Sequence, residues 1–263
     1  MPLLGRGPGW AAFDKPSGVA VHRGWADDGG PYAVELARAA LDAPVSPVHR
    51  LDRATSGVLL FATTPSDAAA LQAGFGNGRV EKRYLALVRG RPPLAGTIDH
   101  PVPRSKELTA PEHRVPAVTD FRTLGTAEVP ALGRVFSLVV CRPRTGRQHQ
   151  IRRHFKHISH PLVGDAYYGK GDLNRFFRDE FGLRRLALHA VFLRFPGPRD
   201  PAGAPPTTMS APVPEDLFAT LRRLELSTGA DAALFDPALF EPAAFEPDPD
   251  AGETPCVPTA VSS

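Results

Sequence analysis

His49-Arg50-Leu51-Asp52-Arg53-Ala54-Thr55-Ser56-Gly57-Val58-Leu59-Leu60-Phe61-Ala62 sets one carboxylate beside two arginines and a histidine, just ahead of an unbroken apolar run. Nearby positive charge favours the ionised form of an acid. Asp52 therefore reads as a nucleophile or charge stabiliser rather than a proton donor. The run over 57–63 predicts a buried strand. Thr64 then offers a helix N-cap, with Pro65 at the first helical position and Asp67 three residues on, and Gly74 and Gly76 mark the stop.

Toward the N-terminus, the apolar runs 10–13 and 19–21 flank Lys15-Pro16-Ser17-Gly18, a hairpin-like pattern. Residues 32–41 carry helical spacing, and 80–88 read as a strand ending at Gly90. Residues 91–117, rich in Pro and charge, predict a long connection with little regular structure. A strand over 134–142 and a helix over 148–158 follow, the helix turning Ile151, Phe155 and Ile158 inward. A helix at 173–181, strand-like runs at 186–190 and 191–195, and an amphipathic helix at 215–226 complete the body. Residues 1–230 read as one domain; 231–263, dominated by Pro, Ala, Asp and Glu, predict a disordered acidic tail.

Composition narrows the function classes. At 263 residues the chain can bury a full core. No apolar run reaches the roughly 18–20 residues of a membrane span, and the N-terminus lacks an apolar signal segment. Cys141 and Cys256 cannot form a disulfide framework, so a cytoplasmic protein is expected. All 31 Lys and Arg lie at or before Arg223, against 20 acids there, whereas eight acids and no Lys or Arg follow. A basic body of this kind suits a polyanion, although arginine-rich codon bias would also raise the count.

Two further segments bear on chemistry. In Glu81-Lys82-Arg83-Tyr84-Leu85-Ala86-Leu87-Val88-Arg89-Gly90, Lys82, Tyr84, Ala86 and Val88 share one strand face. Tyr84 then offers either a ring for stacking and a phenol for proton transfer, or an ordinary strand tyrosine. From Arg134 to Lys156 there are seven Lys or Arg and no acid between Glu128 and Asp165. A solvated helix face would interleave carboxylates; a basic run at a helix start suits phosphate. The histidines 149, 154, 157 and 160 lack a local cysteine or acid and sit among guanidinium groups, so no metal is expected. His160-Pro161-Leu162-Val163-Gly164-Asp165 reads as a supporting turn. No Walker loop, G-x-G-x-x-G, G-x-S-x-G or H-E-x-x-H occurs.

The stretch from His49 to Ala62 closely resembles the HRLD-x-x-TSG signature of RluA-family RNA pseudouridine synthases. Lys15–Gly18, Lys82–Gly90, Gly146–Arg152, His160–Asp165 and Leu188-His189-Ala190 follow in that family's order, so the resemblance covers about 10–215. The run through Asn174-Arg175-Phe176-Phe177 looks most like the TruC branch, which modifies tRNA. The S4 domain of many relatives has no counterpart ahead of Trp10. Departures are Asp14, where Asn is common, and Gln148, where Thr or Ser is common.

The resemblance implies an α+β catalytic fold: a central mixed, largely antiparallel sheet, flanking helices and an active-site cleft. It implies Asp52, Tyr84 and Arg152 as catalytic, Arg152 pairing with Asp52, Arg50 filling the place of the extruded uridine, and Leu188 lining the pocket. Arg53, Arg144, Arg147, His149, Gln150, Arg153 and Lys156 are the expected RNA contacts. Uridine isomerisation needs no redox partner, so no cofactor is expected. RNA, most naturally tRNA, is the expected partner, with no membrane, no obligatory protein partner and a monomeric chain. The rivals are the same reaction on ribosomal RNA, a non-catalytic RNA-binding module, and a carboxylate-dependent hydrolase, which would want a second functional acid near Asp52.

Overall fold

A computed structural model describes residues 1–23, 30–104 and 110–226. The chain runs β1 (Leu3–Gly7), β2 (Trp10–Lys15), α1 (Ala33–Leu41), β3 (Ser46–Pro47), β4 (Ser56–Ala62), α2 (Pro65–Gly76) and β5 (Glu81–Arg89). Then come β6 (Ala95–Asp99), β7 (Val102–Pro103), β8 (Arg114–Val115), β9 (Val118–Val129) and β10 (Arg134–Pro143). The last third holds α3 (Gln150–His157), α4 (Gly171–Phe181), β11 (Leu188–Phe195), β12 (Thr207–Ser210) and α5 (Glu215–Arg223).

One large sheet runs β1-β2-β4-β11-β5-β10-β9-β6, with β3 on β4 and β12 on β11. Among the described strands only β4 and β11 run parallel, so the sheet is mixed and largely antiparallel, with helices outside, as expected. The run after Asp52 becomes a strand covered on both faces. Val58, Leu60 and Ala62 pack with Leu71 of α2, while Leu59 and Phe61 pack with Ala33 and Ala37 of α1. That alternation is the two-residue period of a strand. Thr64 caps α2 as predicted, its Oγ1 accepting from Asp67 N–H at 3.2 Å.

The parallel seam depends on Gly57. Its φ is +109°, and a Cβ there would lie 2.1 Å from the Ala190 carbonyl oxygen, a backbone atom with nowhere to go. The seam brings the segment after Asp52 beside the segment after Leu188, 133 residues apart at Ser56 and His189.

Several predictions need correcting. Residues 19–21 are not a strand; β2 pairs instead with β1, through a turn at Pro8-Gly9. The connection 91–117 contains β6, which joins the main sheet, and the small β7–β8 pair. The runs 186–190 and 191–195 are one strand, β11. The twelve-residue β9 carries no apolar run to announce it, because half its residues are polar. The predicted acidic tail lies outside the described residues, whose last members Leu224 and Leu226 are buried in the core.

Candidate active site

Asp52 stands in the turn between β3 and β4, where Thr55 N–H closes onto its carbonyl at 3.0 Å. The Lys15–Gly18 turn builds a cradle against it. Lys15 is fully buried, and its ammonium donates to the carbonyls of Pro16, Val19 and Arg53 at 2.9, 2.7 and 3.2 Å. Ser17 Oγ donates to the Ala54 carbonyl at 2.7 Å, and Arg53 Nε to that of Gly18 at 2.8 Å. Two motifs distant in sequence thus fix one loop. His49 contributes no charge to it: Nε2 accepts from Leu60 N–H at 3.0 Å, and the ring stacks on Phe75. Burial, aided by the Lys82 charge, takes its pKa down to about 3.

The guanidinium facing Asp52 comes from α3. Arg152 Nη1 donates to Asp52 Oδ2 at 3.0 Å, while Nε and Nη2 clasp the two oxygens of Asp165 at 2.7 and 2.9 Å. Asp165 Oδ1 also accepts from the N–H groups of Tyr167 and Tyr168 at 2.8 and 3.0 Å. Burial works against the Arg152 charge, but the bonds and charge of Asp165, then of Asp52, outweigh it and hold the guanidinium protonated. Arg152 also lies over the Tyr168 ring, 5.2 Å from its centre. The supporting turn around Asp165 is therefore the brace of the site. Its signal in sequence is that Asp165 is the first acid after the acid-free basic run.

His149, the residue before α3, adopts the left-handed region at φ 54°, which non-glycine residues rarely occupy. There its Nε2 comes to 3.9 Å from Asp52 Oδ2, and its Nδ1 lies 3.1 Å from the Tyr168 hydroxyl. Gln150 corrects a sequence expectation. Its buried amide accepts from Thr145 Oγ1 (2.7 Å) and Arg147 N–H (3.0 Å), and donates to Val118 O (2.9 Å) and Thr119 Oγ1 (3.0 Å). Two acceptors and two donors exhaust a glutamine, so the Gln150 side chain, although it lines the cavity, spends its hydrogen bonds on shaping the 144–149 loop.

Asp52, Tyr84, Arg152 and Leu188 line one cavity of about 400 Å³, with Arg50 and Arg147 also on its wall. That volume suits a small organic group. Tyr84 reaches it from β5 and Leu188 from the neighbouring β11, their strands in antiparallel register. Burial, and then the Asp52 charge, push the Tyr84 phenol up, so it stays protonated. Lys82, on the same β5 face, lines the cavity too. Arg53, Arg144, Arg153 and Lys156 lie outside the lining. Arg144 grips Asp120 through two nitrogens, each at 2.9 Å, and Arg153 donates to Tyr168 Oη and Pro103 O at 3.0 and 2.7 Å. Lys156 is exposed on α3. Among the described residues, no group of three His, Cys, Asp or Glu is placed to hold a metal.

A ten-stranded mixed sheet with an Asp–Arg pair in a basic cleft defines a class. Residues 9–157 match the family model for RNA pseudouridylate synthase, and the chain belongs to that family, whose members isomerise uridine to pseudouridine in RNA. Among curated relatives, tRNA pseudouridine synthase C of Haemophilus ducreyi is 39% identical over 210 residues, covering 76% of this chain and 86% of the relative. The Vibrio cholerae protein of the same name is 40% identical over 199 residues, covering 71% and 82%. In the solved structures, human RNA pseudouridylate synthase domain containing 1 superposes with a TM-score of 0.65 at 27% identity, covering 83% of this chain and 86% of that one. No helix among the described residues is long and apolar enough to cross a membrane.

Proposed function

We propose that this chain isomerises a uridine of tRNA, with Asp52 as the group that meets the substrate covalently or electrostatically. The observation that carries this reading is the Asp52 carboxylate, 3.0 Å from a braced Arg152, in a cavity shared with Tyr84. The names of the relatives support tRNA as the substrate.

The reaction breaks N1–C1′, joins C5 to C1′ and moves the C5 proton to N1, with no net oxidation. A carboxylate is suited to attack C1′ or the uracil ring. Arg152 aims it: with two nitrogens fixed on Asp165, the third has one direction left. The reacting atoms are hidden in a stacked helix, so the uridine flips into the cavity at a cost of a few kcal/mol. Tyr84, its phenol protonated, supplies a stacking face and a donor, and exposed Arg50 stands at the mouth to fill the vacated place. Arg147 and Lys156, with Arg53 and Arg153, supply positive charge for the backbone.

The working unit we propose is residues 1–230 as a monomer in the cytoplasm, with 231–263 dispensable. The test is to map pseudouridine in cellular tRNA and ribosomal RNA with and without the chain. One tRNA uridine should lose its modification and regain it on return of wild type but not Asp52→Asn. A modification lost from ribosomal RNA alone overturns the tRNA assignment.

A further inference from the structure

Resting on the reading of the cavity as a uridine site, we infer that Lys82 grips a phosphate flanking the uridine that enters it, and so helps set which nucleotide reaches Asp52. Lys82 stands two residues before Tyr84 on β5, on the same strand face, and lines the same cavity. Its ammonium has three donors. One goes to the Thr145 carbonyl at 3.1 Å. Among the described residues no carboxylate lies within ion-pair distance of it, and Asp52 is already engaged by Arg152. Burial alone lowers its pKa, to about 8.

Lys82 is half-buried; a cation partly withdrawn from water without a counterion is costly, and the cost is offset when an anion arrives. Uracil and ribose are neutral. The phosphodiester is the anionic part of RNA, and it lies one bond from the sugar of the flipped nucleotide. Space is left for it by Gly146, where a Cβ would stand 3.6 Å from Nζ and begin to cover the ammonium. The rival is that Lys82 is only a strut, holding the 144–149 loop through Thr145.

Steady-state kinetics on the target RNA separates the two. Wild type, Lys82→Gln and Lys82→Arg are compared on native RNA and on RNAs carrying one neutral methylphosphonate, 5′ or 3′ of the target uridine. Lys82→Gln should raise KM on the order of tenfold with kcat held. Its plot of log(kcat/KM) against log salt should be shallower by about 0.7, and Lys82→Arg should keep the wild-type slope. One of the two neutral linkages should cost wild type a similar factor and cost Lys82→Gln nothing more. Full additivity with both linkages overturns the proposal, as does a fall in kcat with an unchanged slope. A wild-type chain that modifies no RNA overturns the uridine reading and this one with it.

Discussion

Arg144 and Arg152 belong to one basic run, and each clasps a carboxylate through two nitrogens, yet they do different work. Arg144 is 59% exposed and spends its fork on Asp120, tying the loop after β10 to β9. Arg152 is 8% exposed and keeps a third nitrogen for Asp52. In the first pair Asp120 is buried but the arginine is largely in water and Asp120 has other partners, so Arg144 contributes little to stability. A buried pair of the second kind also adds little net, because desolvation consumes the attraction, but losing one partner is severe. A fork anchored on one acid becomes a rigid pointer toward another.

The largest effect is expected at Asp52. Asp52→Asn should lower isomerisation on the order of 10⁴-fold or more, with RNA affinity retained in a filter-binding assay; activity near wild type would remove the carboxylate from the chemistry. Next in size is Asp165→Asn, which leaves the Arg152 fork half-held. We expect about 3–5 kcal/mol lost in urea unfolding and kcat down about 10²-fold through misdirection of Arg152. If stability falls and kcat does not, the bracing role is wrong.

Acid should sharpen the contrast within α3, which buries both Arg152 and His154. Burial lowers the His154 ring to about 4, and that of His189 to about 4. Between the ordinary histidine value near 6.5 and about 4, the unfolded chain takes up protons that the folded chain refuses. Stability is therefore intact above that window and is lost as pH falls through it. Asp165, held low despite burial by its bonds to Arg152, keeps its charge across the same window. Thermal melts should show Tm falling between pH 7 and pH 4.5; a flat Tm would contradict the neutral buried rings. The smallest effect is expected at Arg144→Ala, under about 1 kcal/mol in stability, with kcat unchanged. Asp120 retains Thr97 at 2.9 Å and Arg142 at 3.2 Å. A collapse in kcat there would erase the distinction between the two arginines.

Much of the site was legible before any coordinates, because its parts sit in dense local patterns. Asp52, Tyr84, Arg152 and Leu188 converge as the family resemblance implied. The elements with strong local signals also emerged near their predicted bounds: β4 with its apolar run, and α2 with its Thr64 cap and Pro65. What stayed hidden has no local signature. The strand β1 is half-exposed and mixed in composition, and β9 takes its identity from its partners β10 and β6. Gln150 and His49 looked like members of a polar or charged cluster, and only their enclosure made one a satisfied strut and the other a neutral acceptor.

The sequence alone determined which chemistry is present: one acid among cations, a tyrosine on a strand face, a basic run free of carboxylates, and a glycine at the start of a buried strand. Periodicity, capping and charge are short-range properties, so they can be read residue by residue. Only the tertiary structure decided which cation serves which acid. Arg152 reaches Asp52 across 100 residues of chain because the β4–β11 seam and the Asp165 brace bring it there. Such pairings are set by packing between elements distant in sequence, where no local preference carries the information.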